Sequence, residues 1–248
     1  KAAGLGRSSR LADPDTYEHL HTHTDILIIG SGPAGIQAAI TAAEAGQDVL
    51  LVEQDFAIGG NYLNLPDKSE FKEQISKLKN NNITILKRTT AFGLYDDATV
   101  GLVEIVSPDK RKNMPQKPRQ RFHICRAAKV ILATGALERN YAFVNNDLPG
   151  IMTVNSARAY LNRYQVRVGS NIVISTNNDS AYETAIDLAD AGSHVTILDS
   201  RERIGDPLLC QISGRKINLY LGSAVGKAKN GPFCPSIKRI EMAELTGE

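Results

Sequence analysis

Three glycines, an acid and a glycine pair are the residues whose types and spacing could do chemistry. In DILIIGSGPAGIQAAITAAEAGQDVLLVEQD, Asp25 to Asp55, an apolar run over Ile26–Ile29 leads into Gly30-x-Gly32-x-x-Gly35 and then an alanine-rich stretch of helical character. A second apolar run ends at Glu53, and Gly59-Gly60 follows. Gly30 permits a tight turn out of a strand, Gly32 leaves the backbone bare for a pyrophosphate, and Gly35 lets the helix close on the strand. The helix N-terminus then turns amide donors toward phosphate oxygens. Glu53 lies where an acid accepts from a ribose hydroxyl, which favours an unphosphorylated ribose over NADP. The glycine pair adds a second close approach of backbone to ligand. This chemistry is the holding of a dinucleotide, NAD or FAD.

The elements that must position these residues recur along the chain. DILIIGSGPAGIQAAITAAEAGQDVLLVEQ lies ungapped over NIVISTNNDSAYETAIDLADAGSHVTILDS: Ala39, Ala43 and Gly46 fall on Ala185, Ala189 and Gly192, and Glu53 falls on Asp199. A second strand-helix-strand unit follows from that repeat. Its turn has lost its glycines, because Thr176, Asn178 and Ala181 stand in their places. Side chains at the turn and at the close-approach position obstruct a pyrophosphate. A degenerate scaffold unit is the favoured reading of this second unit, against an altered pocket using Asn177, Asn178 and Ser180.

Between the units, Pro66 to Asn80 places Phe71, Ile75 and Leu78 at helical spacing in a charged background and predicts an amphipathic surface helix. Asn82–Asp96, Thr99–Val106 and Arg119–Gly135 alternate as strands, and predict a β-meander before the return strand of the sheet. The expected fold is α/β: two Rossmann-like dinucleotide-binding units with an inserted β-meander. Residues 1–24 read as an extension or linker, 25–165 as the first domain with the meander, and 166–248 as the second, truncated domain.

Composition narrows the partners. The 248 residues, 42% hydrophobic with a net charge of +2, support one or two packed domains and no strong field for nucleic acid or an anionic membrane. The segment Asp109–Arg121 carries six cations around two prolines but no aromatic side chain, and reads as a solvated loop. Three widely spaced cysteines give neither a disulfide framework nor a C-x-x-C pair, which fits a reducing, cytoplasmic setting. His19, His21 and His23 share a face if extended, yet no second ligand cluster accompanies them and no metal is expected. No serine or cysteine stands in a nucleophile context, so no catalytic residue is assigned. The polar, basic start is neither signal peptide nor membrane anchor, and the chain reads as a piece of something longer.

The glycine turn, the later GGN and VILATGALE (Val130–Glu138) resemble the two-dinucleotide-domain flavoproteins, whose strand-plus-ATG element returns to the nucleotide. More specifically, KAAGLGR, DPDTYEHLHTHTDILIIGSGPAG, TTAFGLYDDATVGLVE, PRQRFHICRAAKVILATGALERN, FVNNDLPGIM and TNNDSAYETAIDLADAG together resemble the alpha subunits of heterotetrameric sarcosine oxidases, over almost the whole chain. The last of these is the altered turn itself. The resemblance implies an oxidoreductase complex with beta, gamma and delta subunits that demethylates sarcosine to glycine, giving hydrogen peroxide and, with tetrahydrofolate, methylenetetrahydrofolate. FAD in the beta subunit oxidises the amine, FMN lies at the alpha-beta boundary, and NAD in the alpha subunit is bound rather than turned over. Carried over by motif, the nucleotide residues are Gly30, Gly32, Ala34 and Gly35 at the turn, Glu53, Gln54 and Asp55 at the ribose end, and Gly59, Gly60 and Asn61 beyond it. Thr134 and Gly135 lie in the returning ATG element, and, from the run of the chain rather than the motif, Ala91 and Phe92 are expected on the adenine side. Family members are longer at both ends, so this stretch alone is not expected to oxidise sarcosine. The rivals are an FAD-dependent pyridine nucleotide-disulfide-type reductase, a pure interaction module, and a nucleic-acid binder resting on the basic loop.

Overall fold

The computed structural model describes residues 10–79, 81–106, 117–231 and 234–245. It divides into two compact units, Lys1–Gly60 with Ser69–Gly135, and Asn61–Lys68 with Ala136–Glu248.

The first unit is built on β1 (Tyr17–Ile29), α1 (Pro33–Glu44), β2 (Val49–Glu53), α2 (Ser69–Lys77), β3 (Ile83–Lys87), β4 (Thr89–Tyr95), β5 (Thr99–Ile105) and β6 (Gln120–Leu132). Its six-stranded sheet has the order β3-β2-β1-β6-β5-β4. β1 runs parallel to β2 and to β6, and β2 parallel to β3, while β4, β5 and β6 are successively antiparallel. Every residue of β2, VLLVE, is buried, and such a strand must be an apolar run rather than an alternation. Pro33 at the first turn of α1 suits its fixed backbone angle, and Ile36, Ala39, Ile40 and Ala43 form the buried face of the helix. Beneath the sheet Leu27, Leu50, Val52, Val100, Leu102, Cys125 and Ala127 make a continuous cluster.

Three expectations change here. The strand read over Asn82–Asp96 is two strands: β3 joins the parallel set, and Arg88, at φ +56°, breaks the chain before β4 joins the antiparallel set at the other end of the strand order. Residues 17–24 are not a linker but the first part of β1, paired residue by residue with Gln120–Ala127 of β6. The boundary expected after residue 165 lies at Gly135 instead. The segment that follows packs into the second unit, where Ala157 enters the core and Arg158 binds Asp187 at 3.0 Å and Glu183 at 2.6 Å. The amphipathic helix expected over Pro66–Asn80 forms over Ser69–Lys77, with a Glu73–Lys77 pair at 2.9 Å on its exposed face.

The second unit contains α3 (Val154–Tyr164), β7 (Asn171–Thr176), α4 (Ser180–Asp190), β8 (His194–Asp199), α5 (Asp206–Ile212), β9 (Ile217–Leu221), β10 (Ser223–Gly231) and β11 (Cys234–Glu244). β7, β8 and β9 form a parallel three-stranded sheet, and β10 and β11 an antiparallel pair. Tyr182, Ala185 and Leu188 of α4 pack on Val195 and Ile197 of β8.

The histidines at 19, 21 and 23 do occupy alternate exposed positions of β1, and the His19 ring lies 5.4 Å from that of Phe122. Among the described residues no group of three candidate ligands could hold a metal. Most of the basic segment Asp109–Arg121 lies outside the described residues. Of its described cations, Arg119 pairs with Asp15 at 2.8 Å and Arg121 with Glu18 at 2.7 Å. No described helix is long and apolar enough to cross a membrane.

Candidate functional site

The glycine turn closes where β1 delivers the chain to α1. A β-carbon on Gly30, at φ +101°, would stand 2.3 Å from the Ala133 carbonyl oxygen, and one on Gly35 would stand 1.9 Å from the Gly30 oxygen. Those two glycines are therefore consumed in packing the turn, the helix and the end of β6 together. Gly32 differs: a β-carbon there would meet nothing within 4 Å. The backbone at Gly32 faces open space, which is what a ligand phosphate needs. Beside it, α1 begins without a side-chain cap and without an acid in its first turn, so its N-terminal field is left for an anion at Ala34 and Gly35.

Glu53 at the end of β2 is buried and held. Its Oε2 accepts from the Ser31 hydroxyl at 2.6 Å and the Ser31 amide at 3.0 Å, and its Oε1 accepts from the Asp55 amide at 2.9 Å. The Gly59 amide donates to the Ser31 carbonyl at 3.0 Å and also lies 3.2 Å from its hydroxyl. A β-carbon on Gly60 would come within 2.8 Å of the Gly32 α-carbon. Glycine turn, acid and glycine pair thus meet in one place. Gln54 is exposed beside them. The Ala133 amide donates to the Ile29 carbonyl at 2.8 Å, so the exposed Thr134 and Gly135, the latter at φ +70°, leave β6 next to the turn.

Two expected contacts are placed elsewhere. Ala91 lies on β4, opposite Leu102, with its side chain packed against the core beneath the sheet. Asn61 begins the short segment Asn61–Lys68, which belongs to the second unit. The residue that the sequence reading overlooked is Ser31, the variable position between the first two glycines. Its only signal was its place next to Gly30.

The equivalent turn of the second unit is filled by its own side chains. The Thr176 hydroxyl donates to the Asn178 carbonyl at 3.1 Å and accepts from the Asn178 amide at 3.2 Å. Asn178 Oδ1 accepts from both the Ser180 amide at 3.1 Å and the Ser180 hydroxyl at 2.6 Å, and so takes the donor at the start of α4. Asp199, the counterpart of Glu53, is fully buried and accepts from Tyr182 Oη at 2.8 Å and Arg201 Nη2 at 2.7 Å. Burial works to raise its carboxyl. The bonds from the Arg201 guanidinium and amide and from Tyr182 outweigh it and hold the group below the ordinary carboxylate value. Arg201 Nη1 also binds Asp179 at 2.7 Å. Glu138, quoted in the return element without a role, accepts from the Val154 and Asn155 amides at 2.9 Å each and caps α3. A cavity of about 940 Å³ in this unit is lined by Tyr141, Asn171, Val173 and Ile240 among others, and Thr176–Ser180 have no part in it. Of the cysteines, Cys210 is exposed, while Cys125 lies in the core, where burial pushes its thiol up to about 11.

Residues 24–232 match the profile of the pyridine nucleotide-disulphide oxidoreductases. The chain belongs to that family. It is 42% identical over 214 residues to the sarcosine oxidase alpha subunit of Rhizobium meliloti (strain 1021), covering 83% of this chain and 22% of that protein. It is 37% identical over 233 residues to the corresponding subunit of Corynebacterium sp. (strain P-1), covering 90% of this chain and 24% of that one. The chain therefore spans less than a quarter of the length of these relatives. Among solved structures, thioredoxin reductase of T. acidophilum shares the fold, with a TM-score of 0.66 at 16% identity over 90% of this chain and 71% of that one. The family is one of dinucleotide-binding α/β oxidoreductases with parallel sheets, and the chain is homologous to the nucleotide-binding region of the sarcosine oxidase alpha subunits.

Proposed function

We propose that the first unit holds NAD, and that the chain serves as the nucleotide-binding region of an alpha subunit in a cytoplasmic sarcosine oxidase complex. The observation that carries the reading is the contrast at one backbone position, open space in front of Gly32 beside a buried, fixed Glu53. Phosphates would be held over Gly30, Gly32, Ala34 and Gly35, and the adenosine ribose at Glu53, with Gln54, Asp55, Gly59, Gly60, Thr134 and Gly135 around it. The second unit, its turn already filled, acts as scaffold, which favours a nucleotide that is bound rather than exchanged with a neighbouring flavin. In the parent complex the oxidation of sarcosine belongs to FAD in the beta subunit and to FMN at the boundary, with gamma and delta subunits completing the assembly. The sarcosine oxidase alpha subunits that this chain matches support that assignment.

The family also admits FAD at the first turn. Calorimetric titration with NAD, FAD and NADP decides between them. NAD alone is expected to bind, and a Glu53→Ala variant to bind it at least tenfold more weakly, the loss of one hydrogen bond to a charged group being about 1.5–3 kcal/mol. Binding of FAD in place of NAD would move the chain to the flavin-dependent reductases.

A further inference from the structure

Ser31 stands between the first two glycines with no room around it, being 0% exposed. Its hydroxyl has one proton, and that proton goes to Glu53 Oε2 at 2.6 Å, a short bond of the charge-assisted kind. The same oxygen accepts the Ser31 amide at 3.0 Å. Oε2 therefore already has two donors, while Oε1 has one, from Asp55. A carboxylate oxygen offers about two lone-pair sites, so the open acceptor site of Glu53 is on Oε1. The Gly59 amide, held by the Ser31 carbonyl at 3.0 Å, also reaches the hydroxyl at 3.2 Å, which ties the glycine pair to the same side chain.

We infer that Ser31 is a positioning residue that locks the Glu53 carboxylate so that a single oxygen is offered to the ribose, and that this lock sets the preference for an unphosphorylated ribose. The inference rests on the reading of the first unit as an NAD holder. A carboxylate pinned through both oxygens cannot swing aside, and a ribose 2′-phosphate arriving there meets a fixed negative charge. Without the hydroxyl, Glu53 keeps only the two longer amide bonds, at 3.0 and 2.9 Å, is held less tightly, and regains an open acceptor site on Oε2. The ordinary ribose is then gripped less well and the phosphorylated one is repelled less.

The experiment is a double-mutant cycle, with NAD and NADP titrated calorimetrically into the wild-type chain, Ser31→Ala, Glu53→Ala and the double variant. Alanine is smaller than serine, and the Gly59 amide retains the Ser31 carbonyl, so the fold should survive; the melting temperature of each variant checks this. Ser31→Ala is expected to weaken NAD by about tenfold, the scale of one bond to a charged group, and to shift the NAD-to-NADP ratio toward that of Glu53→Ala. In the Glu53→Ala background the same change should have no further effect. A merely structural serine would instead add its penalty in both backgrounds and leave the ratio alone, and either result overturns the inference. If Ser31→Ala unfolds, the titrations are repeated with Ser31→Gly, which also lacks the hydroxyl and needs no extra space, and a wild-type NAD-to-NADP ratio there overturns the inference. If the wild-type chain binds no NAD, the reading of the site and the inference fall together; if it binds NAD and Ser31→Ala behaves as wild type, only the inference does.

Discussion

The two turns are the same loop solved in opposite ways. At Gly30–Gly35 the steric work is done by glycines, and the polar groups at the start of α1 are left without a side-chain cap. At Thr176–Ala181 side chains fill the space, and Asn178 satisfies the start of α4 from within. The acid after the second strand diverges in parallel: Glu53 is held by neutral donors, whereas Asp199 is neutralised by Arg201. On the proposed reading, a binding site here is a turn left incomplete, and loss of binding would need no structural collapse, only side chains that complete it. Helix and strand can then persist after the ligand is gone, because the buried alanines of α4 and the apolar residues of β8 still pack.

The largest break in this comparison should come from moving residues of the second turn into the first. Gly32→Asn is expected to abolish NAD binding, a loss of about 100-fold or more from a side chain in the space of a phosphate, while its melting temperature stays close to wild type because its β-carbon meets open space. Gly30→Thr should lose binding and stability together, since its β-carbon would strike the Ala133 backbone and its φ is +101°; thermal melts of the two variants separate ligand space from turn packing. A smaller effect is expected in the second unit. Asn178→Ala removes the acceptor at the start of α4 and should cost about 0.5–2 kcal/mol in urea unfolding, the range measured for helix caps, without creating a nucleotide site, because Thr176 and Ala181 remain.

The smallest effect is that of acid on Asp199. Its carboxyl is held below the ordinary value of 3.8, so the stability it contributes is fully present above that value and is lost as pH falls through the lower, folded value. The difference in unfolding free energy between wild type and Asp199→Asn should therefore be constant from neutrality to about pH 5 and shrink below pH 4, by linkage. Denaturant unfolding across that range checks it, and a difference that grows on acidification would reverse the sign.

Much of the first site was legible because its chemistry is steric and local. Gly30, Gly32 and Gly35 follow an apolar strand directly, and no other residue type fits two of the three positions. The repeat was legible too, since Ala185, Ala189 and Gly192 preserve the packing surface even where the turn has changed. What escaped was set by partners distant in sequence. HLHTHT carries no apolar alternation, and only its pairing with Phe122 to Ala127 makes residues 19–24 a strand. The boundary at Gly135 escaped because nothing in the composition changes there; it is fixed by Arg158 reaching Asp187. Ser31 escaped because it was counted as a spacer, and its importance shows only once Glu53, 22 residues later, is folded against it.

The register of β1 with β6 carries a consequence for the order in which the protein can assemble during its synthesis. Among the described residues Tyr17–Thr24 pair only with Gln120–Ala127, so about a hundred residues must be translated before that half of the strand can find its hydrogen-bonding neighbour. At the ribosome's pace of about 5–20 residues per second this is a wait of roughly 5–20 s with a free strand edge on the nascent chain. The alternation of histidine and threonine there, rather than valine and isoleucine, leaves that edge a poor template for pairing with other chains during the interval.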